Sequence, residues 1–109
     1  MKIKTSEAKD QVLDYLVAQC EGIETKNYSG ALTIRYDGDW WQPSTDWAQG
    51  GPIIEREGIT VRRHTDALWD ASVGRPNYRA GGPTPLIAAM RCYVASKLGD
   101  EVEVPDDLK

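Results

Sequence analysis

The sequence predicts an α+β fold: a small antiparallel sheet of three to four strands, built from two hairpins, packed by N-terminal and C-terminal helices and a broken middle helix. Three observations predict it. Apolar residues recur at helical spacing near both ends of the chain, two short strand-like runs flank Asp37-Gly38, and a second pair of runs flanks residues 64–66. At 109 residues the chain has the size of one domain and can bury a core without disulfide or metal staples.

Residues 5–21 read as the first helix. Ala8, Val12, Leu16 and Cys20 recur every fourth residue with Leu13 and Val17 beside them, Thr5 or Ser6 is placed to cap the start, and Gly22 to stop it. Leu32–Tyr36 and Asp39–Gln42 then read as a hairpin turning at Asp37-Gly38. A two-residue turn there pairs Ile34 with Trp41 and Arg35 with Trp40, which sends Trp41 to the core and sets Trp40 beside Arg35 on the other face. Thr45 suits the cap of a middle helix, but Gly50, Gly51 and Pro52 should break or kink it before it ends at Gly58.

Residues 59–63 and 67–71 read as the second hairpin. A three-residue turn over His64–Asp66 gathers Ile59, Val61, Ala67, Trp69 and Ala71 on one face, whereas a two-residue turn scatters them. Ser72–Gly82 reads as a glycine-rich loop carrying Arg75, Tyr78 and Arg79. Thr84 caps the last helix, Pro85 takes its first position, and Gly99 follows its end. Its apolar arc gathers Leu86, Ile87, Met90, Val94 and Leu98, with Arg91 at the edge; a guanidinium there needs a carboxylate, carbonyl oxygens or a pocket wall. Residues 1–99 thus read as the domain and 100–109 as an acidic tail.

Charge placement narrows the partners. The net charge is −4, and five acids against Lys109 in residues 100–109 account for it, leaving twelve acids and twelve bases in residues 1–99. A neutral body gives no broad footprint for phosphate, which disfavours nucleic acid as a partner. No run approaches the roughly 20 apolar residues of a membrane span, and the start holds no apolar signal segment, so a cytosolic location is expected. Cys20 and Cys92 are expected to be free thiols.

The blocks PSTDWAQGGPIIEREGI (43–59) and GPTPLIAAMRCYVASKLG (82–99), with Thr5-Ser6-Glu7 and the continuation to residue 105, resemble the NinX family of bacteriophage proteins. Residues 24–42 and 62–80 read as variant surface. The resemblance supports this order of elements and implies a phage accessory protein in the cytoplasm of an infected bacterium. It carries over no catalytic residue.

No catalytic constellation emerges from the residues themselves. His64 is the sole histidine and sits in a turn; one His and two distant Cys cannot make a usual transition-metal site, so neither metal nor cofactor is expected. Gly50-Gly51-Pro52 and Gly81-Gly82-Pro83 lack the phosphate-loop and dinucleotide spacings. What remains is a binding pattern. Aromatic and basic residues interleave at Trp40 beside Arg35 and at Arg75, Tyr78 and Arg79, and the Gly81-Gly82 turn precedes a helix start whose free N–H groups attract anions. The expected function is therefore non-enzymatic binding of a host protein or a small nucleotide-type ligand, to aid infection or counter a host defence, with Arg75, Tyr78, Arg79, Gly81, Gly82, Trp40 and Arg91 as candidate contacts. The alternatives are a nucleic-acid-associated factor in phage replication or recombination and a small carboxylate-dependent hydrolase.

Overall fold

The structure, a computed structural model, describes residues 1–24, 26–28, 31–33, 35, 36, 39–74 and 77–105. The chain begins with β1 (Lys2–Lys4), a 3-10 turn (Thr5–Glu7) and α1 (Asp10–Glu21), followed by β2 (Lys26–Tyr28), β3 (Ala31–Thr33), β4 (Arg35–Tyr36) and β5 (Asp39–Trp40). Next come α2 (Trp47–Glu57), β6 (Thr60–Thr65), β7 (Leu68–Val73), β8 (Tyr78–Gly82), α3 (Pro85–Leu98) and β9 (Glu101–Glu103). All pairing among these strands is antiparallel, in a three-stranded sheet β6-β7-β8 and the two-stranded pairs β1-β9, β2-β3 and β4-β5. The α+β class is as the sequence predicts.

Helix α3 is buried nearly all round. Leu86, Ala88, Ala89, Met90, Cys92, Tyr93, Val94 and Ala95 are all buried, so the helix has no solvent face of the usual width. Its ends are those expected: Thr84 Oγ1 accepts from the Ile87 N–H at 3.1 Å, Pro85 opens the helix, and Gly99 follows it. Leu98, placed on the apolar arc, is instead exposed.

The sheet on one side of α3 differs from expectation in where its third strand comes from. It is β8, cut from the segment that reads as a loop, whereas the first hairpin stays apart as the β4-β5 pair. The glycines that suggest a loop serve a strand pressed against a helix: a Cβ on Gly82 would stand 2.9 Å from the Ala88 nitrogen and 2.9 Å from Ile87 Cγ2.

The second hairpin keeps the expected face by another route. The turn holds two residues, Asp66 and Ala67, and a bulge at His64 between Arg63 and Thr65 supplies the extra residue. Val61 therefore opposes Ala71 and Arg63 opposes Trp69, a register shifted by two from the three-residue reading. Because a shift of two preserves side-chain parity, Val61, Trp69 and Ala71 still share the face toward α3. Ala67 leaves that face and lies exposed in the turn.

In the first hairpin Arg35 opposes Trp40 as expected; Ile34 and the Asp37-Gly38 turn lie outside the described residues. Trp41 is only 7% exposed and its Nε1 donates to the Asp14 carbonyl at 3.1 Å, while Trp40 is 55% exposed. Trp69 is half-buried against the core.

Two helix expectations are corrected. Helix α2 runs unbroken through Gly50, Gly51 and Pro52, capped by Asp46 rather than Thr45: Asp46 Oδ1 accepts from the Ala48 N–H at 2.9 Å. Pro52 is tolerated because both it and Ala48, whose carbonyl it leaves unbonded, are exposed. Gly50 is needed for contact, since a Cβ there would meet the Pro43 carbonyl at 2.5 Å and Leu86 Cδ2 at 2.6 Å. Helix α1 starts at Asp10, not near Thr5, with Lys9 in the cap position and no side-chain cap bond. Thr5 serves the far end of the chain instead: its Oγ1 donates to the Gly99 carbonyl at 2.6 Å and its N–H to the Asp100 carbonyl at 2.8 Å.

The acidic-tail reading of residues 100–109 is likewise corrected over its first part. Glu101–Glu103 pair with Lys2–Lys4, and Val102 and Val104 are buried at 6% and 3% exposure. Apolar residues alternating with the acids, Glu101-Val102-Glu103-Val104, give the physical reason: every second residue has a core to reach. Residues 106–109 lie outside the described residues.

Burial sets the stability expectations. Trp41→Ala should cost about 3–5 kcal/mol in urea melts and Trp40→Ala less than about 1 kcal/mol. Gly82→Ala, which forces a methyl into the α3 backbone, should destabilise by about 1–3 kcal/mol. A Gly82→Ala protein as stable as the wild type would mean that β8 does not lie against α3 as described.

Candidate binding cleft

Arg91 organises the ground where β8 meets the start of the chain. From α3 its Nε donates to the Ala8 carbonyl at 2.7 Å and its Nη1 to the Gly81 carbonyl at 2.9 Å. Carbonyl oxygens thus meet the need that the edge position on the helix creates. Burial lowers the pKa of this guanidinium, but it starts so high that it remains a cation.

Beside it opens a cleft of about 360 Å³. It is lined by Arg79 and Ala80 of β8, Arg91 and Ala95 of α3, Lys4 of β1 with Thr5 and Ser6 behind it, and Asp100 and Glu101. The 3-10 turn and the β1-β9 pair hold the wall opposite β8, because Thr5 is bonded to Gly99 and Asp100. Arg79 borders the cleft while its Nη2 reaches Asp70 Oδ2 at 2.7 Å on the solvent face of the sheet, where Arg62 Nη2 lies 3.5 Å from the same oxygen. The Arg79 hydrogen bond, then Arg62, holds the Asp70 carboxyl below its ordinary range.

The candidate contacts are divided by this geometry. Arg79, Gly81 and Arg91 come together at the cleft. Gly82 is buried against Ala88, and Tyr78 stands one residue from Arg79 on the opposite face of β8, its carbonyl 3.2 Å from Cys92 Sγ. Trp40 lies on the β4-β5 pair and is absent from the cleft lining; Arg75 is outside the described residues. The N-terminus of α3 borders a separate hollow of about 210 Å³ with Ser44, Thr45 and Trp47, which is 56% exposed. Arg79 does not line that hollow, so the helix start and the arginine do not converge on one anion.

Lys4, Ser6, Asp100 and Glu101 were not singled out by sequence reasoning. A signal existed: Lys2-Ile3-Lys4 and Glu101-Val102-Glu103 carry matched alternation and opposite charge at the two ends of the chain.

Other titratable groups are engaged in structure. Arg56 holds Glu21 with two bonds of 3.0 and 2.7 Å, and also reaches the Tyr93 hydroxyl and Glu57, tying the C-terminal ends of α1 and α2 to α3. Burial, then the Glu21 contact, pushes the Tyr93 hydroxyl up, while the Arg56 hydrogen bond lowers Glu21. Burial also pushes the free thiols of Cys20 and Cys92 up to about 11, which keeps them protonated and poor nucleophiles at neutral pH. His64 is exposed at the bulge. Among the described residues no three His, Cys, Asp or Glu side chains gather as a metal set.

Asp14 is the exception among the acids. It is 7% exposed beneath the Trp41–Ser44 segment, where Oδ1 accepts from the Ser44 N–H at 2.9 Å. Burial raises its pKa from 3.8 to about 6, against the lowering effect of Ser44. The folded state therefore holds this proton more tightly than the unfolded state. Stability from this group is greatest below about pH 4 and falls by up to about 3 kcal/mol as pH rises to 6 and beyond. Asp14→Asn, which keeps the acceptor for Ser44, should remove that slope and raise stability at pH 7; parallel pH profiles of wild type and variant in urea melts would disprove it.

Fold and cleft together define a small α+β domain with a cleft lined by residues of both charges at one sheet edge. A family model described as Bacteriophage P22, NinX matches residues 4–97, and the chain belongs to that family. Among curated proteins, none matches it.

Proposed function

We propose that the chain is a non-enzymatic phage accessory protein that acts in the cytoplasm of the infected host by binding a host protein at the Lys4–Arg79–Arg91 cleft. One observation carries the reading: cations and the carboxylates of Asp100 and Glu101 line the same cleft, beside an edge strand of the sheet. Mixed charge next to open backbone suits a polypeptide, which presents both signs and its own amides. It suits a nucleotide less, since the two or more negative charges of its phosphates would have to share the cleft with Asp100 and Glu101, whereas a polypeptide brings at most a single terminal charge there. Balanced charge in residues 1–99 weighs against nucleic acid. The raised thiols and the enclosure of Asp14 under Trp41–Ser44 weigh against catalysis. Among the described residues no helix is long and apolar enough to cross a membrane.

The test is affinity capture from host lysate with wild type, Lys4→Gln and Ser6→Arg, the last filling the cleft from an exposed position. A stoichiometric host protein should be held by the wild type and lost by Ser6→Arg at unchanged Tm. Retention of that protein by both variants, or calorimetric heat with a nucleotide panel and no captured protein, would overturn the reading.

A further inference from the structure

We infer that the cleft receives the C-terminal end of a partner polypeptide, laid as an added strand parallel to β8 with its terminal carboxylate at Arg91 and Lys4; the inference rests on the protein-binding reading above. β8 is an edge strand, paired only through β7 in the sheet. Arg91 Nη1 takes the Gly81 carbonyl from the open side. In an antiparallel ladder the backbone groups of alternate residues face the same way, so the N–H and C=O of Arg79 and the N–H of Gly81 face that side too. None of these three groups has a partner outside the ladder among the described residues.

The direction of the added strand follows from hydrogen-bond geometry. One residue of a parallel strand donates to a carbonyl and accepts from the N–H two residues further along. The Arg79 carbonyl and Gly81 N–H form such a pair. The next acceptor along the edge, the Gly81 carbonyl, is already held by Arg91, so an added strand must stop there. What stops is the end of a chain, and the end of a chain is a carboxylate. Arg91 Nη2 and Lys4 Nζ have no partners among the described residues and are available for it. An antiparallel strand would place its carboxylate at the Tyr78 end, away from Arg91. Ala80 and Ala95 leave room in the cleft, and Asp100 and Glu101 select against acidic side chains near the terminus.

A library of synthetic random hexapeptides with free C-terminal carboxylates provides the probe. Binders with neutral or basic side chains should be enriched, should shift the amide resonances of Arg79 and Gly81, and should weaken by about tenfold or more on C-terminal amidation. N-methylation at alternate positions should weaken them similarly. Because Arg91 also braces the fold, the protein-side control is Lys4→Gln, which should reduce affinity for the free acid and leave the amide unaffected. No enrichment, indifference to amidation, or shifts centred on Trp40 and Trp47 would overturn the inference. Capture of a host protein that is lost with Ser6→Arg but insensitive to its C-terminal carboxylate would sink the strand inference alone; absence of any cleft-dependent host partner would sink the protein-binding reading as well.

Discussion

The rest of the structure depends on the need to cover α3 on every side. A helix with buried Ala88, Ala89, Met90, Cys92, Val94 and Ala95 cannot present a face of the usual width to water, so α1, α2, the 3-10 turn, the β6-β7-β8 sheet and β9 are each placed by the part of α3 that they sheathe. Close approach makes that possible. Gly82 brings β8 to the helix backbone and Gly50 brings α2 to Leu86, each at a distance where a methyl group would collide. Gly50 and Gly82 are thus a packing requirement, not a sign of slack.

The same covering explains why the ends of the chain meet. Residues 1–5 and 99–104 are joined by the β1-β9 ladder, by Thr5 to Gly99 and Asp100, and by the terminal ammonium of Met1, which lies 3.0 Å from Glu103 Oε2 and 3.0 Å from the Val104 carbonyl. This joint walls the cleft opposite β8. The backbone that carries its acids and bases is consequently fixed by pairing, not left at the end of a loop.

How much of this was legible in the sequence depended on whether a signal was local. Caps, periodicity and parity are local, and the last helix with Thr84 and Pro85, the Arg35–Trp40 pairing and the common face of Val61, Trp69 and Ala71 could all be read. Signals whose meaning depends on a distant partner could not. Gly81 and Gly82 say loop until α3 is known to lie against them, and Gly50 to Pro52 say break until their exposed and contacting sides are known. Of the site, Arg79 and Arg91 were visible as cations needing an explanation. Lys4, Ser6, Asp100 and Glu101 were not, because only the pairing of the chain ends brings them to the same place.

The bulge at His64 has a further consequence. It sits on β6, the other edge of the sheet, with exposed Arg62 and Arg63 before it. A bulged, positively charged edge repels another strand of its own kind and cannot continue a flat ladder. The sheet therefore has one end shut against growth and one end, at β8, shaped and partly stoppered by Arg91. A sheet with two open edges can be a link in a fibre; this one, with a single edge left open, can end a ladder but not pass it on.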